Sequence, residues 1–365
     1  VKFLNIAFNM FITTVNNYIC AVYLILFMSV LQENISLKPY NTFGVAVCST
    51  FFAEIFSEQD LKDLLGLPIV KQQSLLILGG GSNLLFTKDF EGLVVKISIP
   101  GISAVVEGDE VIVTAGAGVV WNDFVKYCVA NGFAGVENLS LIPGTVGASP
   151  IQNIGAYGVE LKDVFGSCTA YEIATALPRV FDFEDCRFGY RDSIFKNELK
   201  GQYIITSVSF KLSKQARINI QYGAIQSELQ NRKIAHPTIA DISKVVADIR
   251  VSKLPDPSTI GNAGSFFKNP VIEPSLFREV LSKFPDVVHY PAPNDKIKLA
   301  AGWLIEQCGF KGRVVGQTGT WKNQALVLVN HGAATGQEVY SFSEEIINSV
   351  YIKFGVKLER EVNIL

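Results

Sequence analysis

The sequence predicts an α+β protein of two or three compact units, and three observations carry that expectation. Its 365 residues exceed what one ordinary core organises. From Val45 onward, short β-branched runs alternate with helix-period patterns. Two prolines, Pro255 and Pro257, forbid continuation of a helical stretch and mark a boundary near Lys253.

In order along the chain, the patterns predict a strand over Val45–Glu54, a helix near Gln59–Leu65 and a strand over Ser74–Leu78 that runs into Gly79-Gly80-Gly81-Ser82-Asn83. Strands follow over Gly92–Ile97 and Glu110–Ala115. A helix over Trp121–Ala130 is closed by Asn131-Gly132. After a glycine-rich segment come strands over Cys168–Ile173 and Ile204–Leu212, the second with the alternation of a half-buried strand, then a helix over Ile239–Val251. Beyond the prolines, helices are expected at Pro274–Phe284 and Leu299–Cys308, and a buried strand at Ala325–Val329. The last helix is the clearest: Thr335 and Glu338 form a capping box, Val339, Phe342, Ile346 and Val350 recur at helical spacing, and Gly355 ends it. A final strand over Val356–Leu365 would carry Glu359 and Glu361 on one face.

The first 27 residues carry a single charge, at Lys2, and end in an apolar stretch. Asparagines at 5, 9, 16 and 17 interrupt a membrane span, and no small-residue cleavage pattern follows. Met28 then precedes a polar segment, so residues 1–27 are read as a hydrophobic leader upstream of the fold.

Composition narrows the function. Hydrophobic residues at 48% against 18% charged describe a folded globular chain, and a net charge of −2 gives no electrostatic reason to bind nucleic acid. The six cysteines form no C-x-x-C pair, which points to reduced thiols in a cytosolic protein and away from zinc. The three histidines, His236, His289 and His331, are far apart, so no histidine metal site or histidine acid/base is expected.

Between Asn138 and Val159 the chain reads NLSLIPGTVGASPIQNIGAYGV, 22 residues without a charge. A solvated loop of that length would carry charges. A glycine-rich, uncharged lining instead suits a flat ring system met by backbone groups, and a bound flavin is the natural occupant. The Gly79–Asn83 turn, following an apolar strand, could form an anion-binding nest for a pyrophosphate; it is neither a P-loop nor a Rossmann fingerprint, and alone it reads equally as a tight turn. Ser265, in Gly261–Pro270, could donate a proton in a dry pocket, although a serine in a glycine turn is more often structural. Arg191 could offer a fork to a carboxylate or pair on the surface with Asp192. Glu361 could be a pocket acid, but the period-two pair with Glu359 favours a solvated face.

Taken together, Asn41-Thr42-Phe43-Gly44, Leu78 through Leu85, Ile142-Pro143-Gly144 through Tyr157-Gly158, Tyr190-Arg191-Asp192-Ser193, Gly261 through Asn269 and Leu299 through Ile305 closely resemble the UDP-N-acetylenolpyruvoylglucosamine reductase family. The likeness runs from about Leu37 to Glu361, and Tyr222-Gly223 resembles the form with a tyrosine loop over the substrate. It implies an FAD-binding domain of the vanillyl-alcohol-oxidase-like (PCMH) type in two subdomains, residues 37–98 and 99–252 with the FAD-binding region at about 45–215. A substrate-binding α+β domain at 253–356 and a final strand at 357–365 would follow. It implies NADPH as co-substrate, a nucleotide-sugar substrate whose enolpyruvyl ether is reduced to UDP-N-acetylmuramate, and a monomer in the cytoplasm with no membrane partner.

By the same resemblance Arg191 and Glu361 stabilise the enolate, and Ser265 protonates it. Gly79, Gly80, Gly81, Ser82, Asn83, Leu84, Ile142, Pro143, Gly144, Gly147, Ala148, Asn153, Gly155 and Tyr157 would hold the cofactor. Tyr222, Lys253, Asn269, Tyr290, Lys298 and Gln324 would contact the nucleotide sugar. No histidine precedes the glycine-rich segment, so FAD is expected to be noncovalent. Two rivals remain: another flavin oxidoreductase of this fold, and a nucleotide-sugar binder without turnover.

Overall fold

A computed structural model describes residues 31–365; the leader reading of 1–27 lies outside the described residues. The first sheet combines β1 (Leu31–Ser36), β2 (Cys48–Ile55), β3 (Leu75–Leu78) and β5 (Phe90–Ile97) in the order β1-β2-β5-β3, while β4 (Leu84–Leu85) stands apart. β1 runs antiparallel to β2, and β5 runs parallel to β2 and β3. The crossover from β2 to β3 is helical, through α1 (Glu58–Leu65) and α2 (Pro68–Gln72). Ser57 caps α1 by accepting from the Asp60 amide, and Leu61, Leu64 and Leu65 supply its buried face. The glycine turn thus lies at the carboxyl end of a parallel strand, where open sheets bind ligands.

The second sheet is antiparallel, built from β6 (Ile102–Glu107), β7 (Glu110–Gly116), β10 (Phe165–Glu172), β11 (Pro178–Asp182) and β12 (Tyr203–Ser213) in the order β11-β10-β12-β7-β6; a small hairpin, β8 (Gly155–Ala156) with β9 (Val159–Glu160), precedes β10. On β12, Val208, Phe210 and Leu212 are buried and Lys211 between them is exposed, the expected alternation. Helix α3 (Trp121–Ala130) has the expected bounds and packs Trp121 and Phe124 on Phe210, with ring centroids 5.8 and 4.4 Å away. Past the short α4 (Phe183–Cys186), α5 (Gly223–Asn231) and α6 (Ile239–Lys253) bury Ile225, Leu229, Ile242, Val245 and Val246 against one another. Glu58 on α1 ties the first two layers, accepting from the Tyr171 hydroxyl at 2.8 Å and the Thr206 hydroxyl at 2.9 Å.

The rest of the chain forms β13 (Gly261–Ser265), β14 (Val271–Ile272), α7 (Pro274–Lys283), β15 (His289–Pro291), β16 (Ile297–Leu299), α8 (Ala301–Gln307), β17 (Val314–Val315), β18 (Thr318–Trp321), β19 (Gln324–Asn330), α9 (Gly336–Phe354) and β20 (Asn363–Ile364). Two sheets result, β13-β19-β18-β17 and β14-β16-β15. The capping box starts α9 as expected, the Thr335 hydroxyl accepting from the Glu338 amide at 3.2 Å, and Gly355 ends it at φ 69°. A single buried cluster joins Leu37, Phe43, Phe52 and Phe86 to Phe266, Phe267, Leu328, Phe342 and Ile346, so the two ends of the described chain share one core.

The sequence patterns miss β1, β6 and β11, together with the short strands β4, β8, β9 and β13 through β18. β6 and β11 are edges with most of their residues in water (Val105 is 60% exposed and Val180 61%), so the apolar alternation is masked. The expected strand over Val356–Leu365 shrinks to β20, which pairs in parallel with β4, plus one bridge between Phe267 and Arg360. With so little sheet to lie on, Glu359 and Glu361 do not share a solvated face: the Glu359 side chain is 72% exposed and that of Glu361 only 13%.

Candidate active site

A cavity of about 640 Å³ opens where these three parts meet, lined by Gly79 through Leu84, by Ile142, Pro143, Gly144, Ala148 and Gly155, and by Arg191, Ser265 and Glu361. Two turns make its floor. The 142–149 segment is pinned by backbone bonds from Trp121 N to the Gly144 carbonyl (3.0 Å) and from Val146 N to the Val119 carbonyl (2.8 Å). Gly80 then sits so close to it that a Cβ there would lie 2.8 Å from the Gly144 Cα. Gly81 has φ 64°, and a Cβ would run into the Tyr40 carbonyl. The floor is uncharged, while the walls carry Arg191, Lys196, Lys200, Arg250 and Lys268 against only Asp192 and Glu361. A cradle that a single methyl group would fill, with cationic walls, fits a flat ring system bearing a diphosphate, as FAD does.

On one wall, Arg191 Nε donates to Glu361 Oε1 at 2.9 Å, and Nη2 donates to the Gly155 carbonyl at 2.7 Å. Arg191 itself is left-handed, φ 54°, at a turn closed by the bridge between Gly189 and Asp192. Gln152 Nε2 also donates to Glu361 Oε1 (3.2 Å), and its Oε1 accepts from Asn83 Nδ2 (3.0 Å) and Lys196 Nζ (3.2 Å). Burial and the neighbouring Lys268 push the Lys196 ammonium's pKa below its ordinary value, against the pull of Glu361 and Asp192. Ser265, at the end of β13, is exposed to the same space. Opposite, Arg250 at the end of α6 donates to the Leu141 carbonyl at 3.2 Å; burial lowers its pKa despite the Tyr157 hydroxyl beside it.

Three of the expected cofactor residues do not line the cavity. Gly147 lets the segment close on Ala117. Asn153 is fully buried and spends its amide on Glu160, the Gly189 carbonyl and the Lys162 N–H, so it braces the site from behind. Tyr157 packs edge-on to Tyr222 at 5.2 Å. The six expected sugar contacts also lie outside the cavity wall. Lys298 Nζ rests 4.7 Å over the Tyr190 ring, Asn269 Oδ1 caps α8 at the Ala301 amide (2.9 Å), and Gln324 Oε1 accepts from the Leu326 amide (3.3 Å). Tyr290 neighbours Tyr222, and Lys253 ends α6. Conversely, Gln152, Lys196, Lys200, Arg250 and Lys268 line the cavity without having been singled out. Lys196, five residues past Arg191, carried no spacing signal, whereas Gln152 lay inside the uncharged segment already noted.

Residues 256–365 match a family described as the C-terminal domain of UDP-N-acetylenolpyruvoylglucosamine reductase, and residues 50–183 match an FAD binding domain. The UDP-N-acetylenolpyruvoylglucosamine reductase of Flavobacterium johnsoniae is 49% identical over 92% of this chain and 99% of its own length, and that of Pseudomonas aeruginosa is 49% identical over 92% and 98%. The crystal structure of the UDP-N-acetylenolpyruvylglucosamine reductase from Thermus caldophilus superposes with a TM-score of 0.63 at 22% identity, over 92% of this chain and 99% of that one, and so shows the same fold. With relatives this similar aligned nearly end to end, the chain belongs to the UDP-N-acetylenolpyruvoylglucosamine reductase family.

Proposed function

We propose that the cavity reduces the enolpyruvyl ether of UDP-N-acetylglucosamine to UDP-N-acetylmuramate, a peptidoglycan precursor, with NADPH as reductant. The single observation that carries this is the convergence of Arg191, Ser265 and Glu361 on one cavity beside the double glycine cradle. Gly79 through Asn83 and Ile142 through Gly144 would hold FAD without a covalent link, and Arg250 stands ready for an anionic part of a ligand. When bound, FAD supplies hydride-transfer chemistry between NADPH and the enolpyruvyl double bond.

The residues of the chain do the rest. Adding hydride to a carboxyl-conjugated alkene drives negative charge into the carboxylate, and donors must already be in place there. Arg191 has five N–H groups; Glu361 and Gly155 use two, and the other three are available to substrate oxygens. Glu361 keeps the guanidinium from rotating. The developing enolate is basic enough to take a proton from a weak acid held near it, and the exposed Ser265 hydroxyl is that acid.

Tyr222, Lys253, Asn269, Tyr290, Lys298 and Gln324 would serve the nucleotide sugar, with Tyr222 as the tyrosine of a loop closing over it. Asn269 has committed its carbonyl to α8, which leaves its NH₂ for a ligand. Among the described residues no helix is long and apolar enough to cross a membrane. Free thiols at Cys48, Cys128, Cys168, Cys186 and Cys308 fit a reducing, cytoplasmic setting, and we read the protein as a monomer of three domains with boundaries near 98 and 253.

Anaerobic stopped-flow absorbance tests the reading. Purified protein should be yellow, bleach with one equivalent of NADPH, and regain colour on mixing with the enolpyruvyl nucleotide sugar, whose mass rises by two hydrogens. Protein that bleaches but is not reoxidised by this substrate would overturn it.

A further inference from the structure

We propose that Lys196 is a positioning residue for this reduction: its ammonium holds the Gln152 side chain in the one orientation that fixes the Glu361 carboxylate against Arg191. The inference rests on the reading of the cavity given above. An amide side chain can present either its oxygen or its NH₂ to a neighbour, and the surrounding network decides which. Gln152 turns its NH₂ to Glu361 Oε1 (3.2 Å), so its oxygen must face donors. Lys196 Nζ (3.2 Å) and Asn83 Nδ2 (3.0 Å) are those donors.

Asn83 favours the same orientation, since its Nδ2 also donates to the Glu361 main-chain carbonyl at 3.3 Å, but it is an amide with an acceptor of its own and so discriminates less sharply than a cation. An ammonium has three donors and no acceptor. Turning Gln152 over would set NH₂ against Lys196 and a carbonyl oxygen against the Glu361 carboxylate, two repulsions in place of two bonds. Lys196 also donates to the Arg191 carbonyl at 3.1 Å, at the residue whose backbone is left-handed. One cation therefore braces both members of the Arg191–Glu361 pair, one directly and one through Gln152. The charged groups that face it are Lys268, Glu361, Asp192 and Arg191: the two carboxylates attract the ammonium and the two cations repel it.

The test compares wild type, Lys196→Met, Gln152→Met, the double variant and Lys196→Arg, each checked first for flavin content and melting temperature. Lys196→Met and Gln152→Met should each slow reoxidation by the enolpyruvyl nucleotide sugar by roughly 10- to 100-fold, the scale of a small misplacement of reacting groups. Bleaching by NADPH should stay within about threefold, because the positioned pair acts on the substrate. The double variant should be no slower than the slower single, since both lesions break one relay. Lys196→Arg should recover most of the rate, and a crystal structure of Lys196→Met should show the bond from Gln152 to Glu361 lost.

Wild-type reoxidation in Lys196→Met, multiplied losses in the double variant, or an undisturbed bond between Gln152 and Glu361 would each overturn the proposal. Should Lys196→Met not fold, a wild-type rate in Gln152→Met overturns it instead. Failure of the wild type itself to be reoxidised marks the error in the proposed function, and this inference falls with it.

Discussion

Arg191 and Glu361, 170 positions apart in the chain, meet through a 2.9 Å bond from Nε to Oε1 with both side chains mostly withdrawn from water. The contact needs the Gly189–Asp192 turn from one part of the fold and the segment before β20 from another. Neither residue is placed without the other's half of the molecule.

Arg191→Lys should keep the charge and lose the fork. A lysine cannot reach Glu361, the Gly155 carbonyl and a substrate oxygen at once. We expect reoxidation by substrate to fall by about 10² to 10³, the usual loss for one transition-state donor, with bleaching by NADPH within about twofold. Equal slowing of both half-reactions in stopped flow would place Arg191 elsewhere in the cycle.

Ser265→Ala removes a hydroxyl from an exposed position on β13, so the fold should not suffer. Reoxidation should again drop by roughly 10² to 10³ while bleaching persists. In Ser265→Cys, which restores a proton donor at the same position, part of the rate should return. If alanine and cysteine behave alike, the proton comes from another group.

Much of this arrangement was legible because local chemistry and packing agree. Trp121–Ala130 has helical periodicity and a glycine stop, and the structure reproduces its bounds. The Gly79–Asn83 turn and the uncharged 138–159 segment stood out because close backbone approach leaves a compositional trace. Glu361 did not. Its pairing with Glu359 read as a solvated strand face, and only the long-range meeting with Arg191 reverses that. Lys196 acts through three-dimensional neighbours alone and carries no signature, while Gln152 was marked only by lying inside the uncharged segment. The six distal sugar positions came from family likeness, and the cavity wall does not include them.

Gly80→Ala tests the cradle. The added methyl would lie 2.8 Å from the Gly144 Cα, which is backbone and cannot swing away. One of the two turns must shift, so the variant should purify with much less flavin per protein, read as the ratio of visible to ultraviolet absorbance. The apo fold should survive, because the main hydrophobic clusters do not include this turn. Full flavin content in Gly80→Ala would mean that the close approach is incidental to cofactor binding.

The capping boxes predict how stability responds to acid. Hydrogen bonds from the Thr335 backbone and side chain hold the Glu338 pKa below the ordinary 4.5, and Thr238 does the same for Asp241 below 3.8. Arg360 lowers that of Glu344, and the Ser258 amide lowers that of Asp256. A carboxylate whose folded pKa is depressed contributes stability that is fully present above its unfolded pKa and is lost as pH falls through the folded value. The melting temperature should therefore hold from neutrality to about pH 5 and fall below it, as the folded protein takes up protons it had resisted. Glu338→Gln and Asp241→Asn should lower the melting temperature slightly at pH 7 and flatten its decline between about pH 5 and 3, since each removes one linked proton. An unchanged acid slope in the double variant would show that other carboxylates set the acid limit.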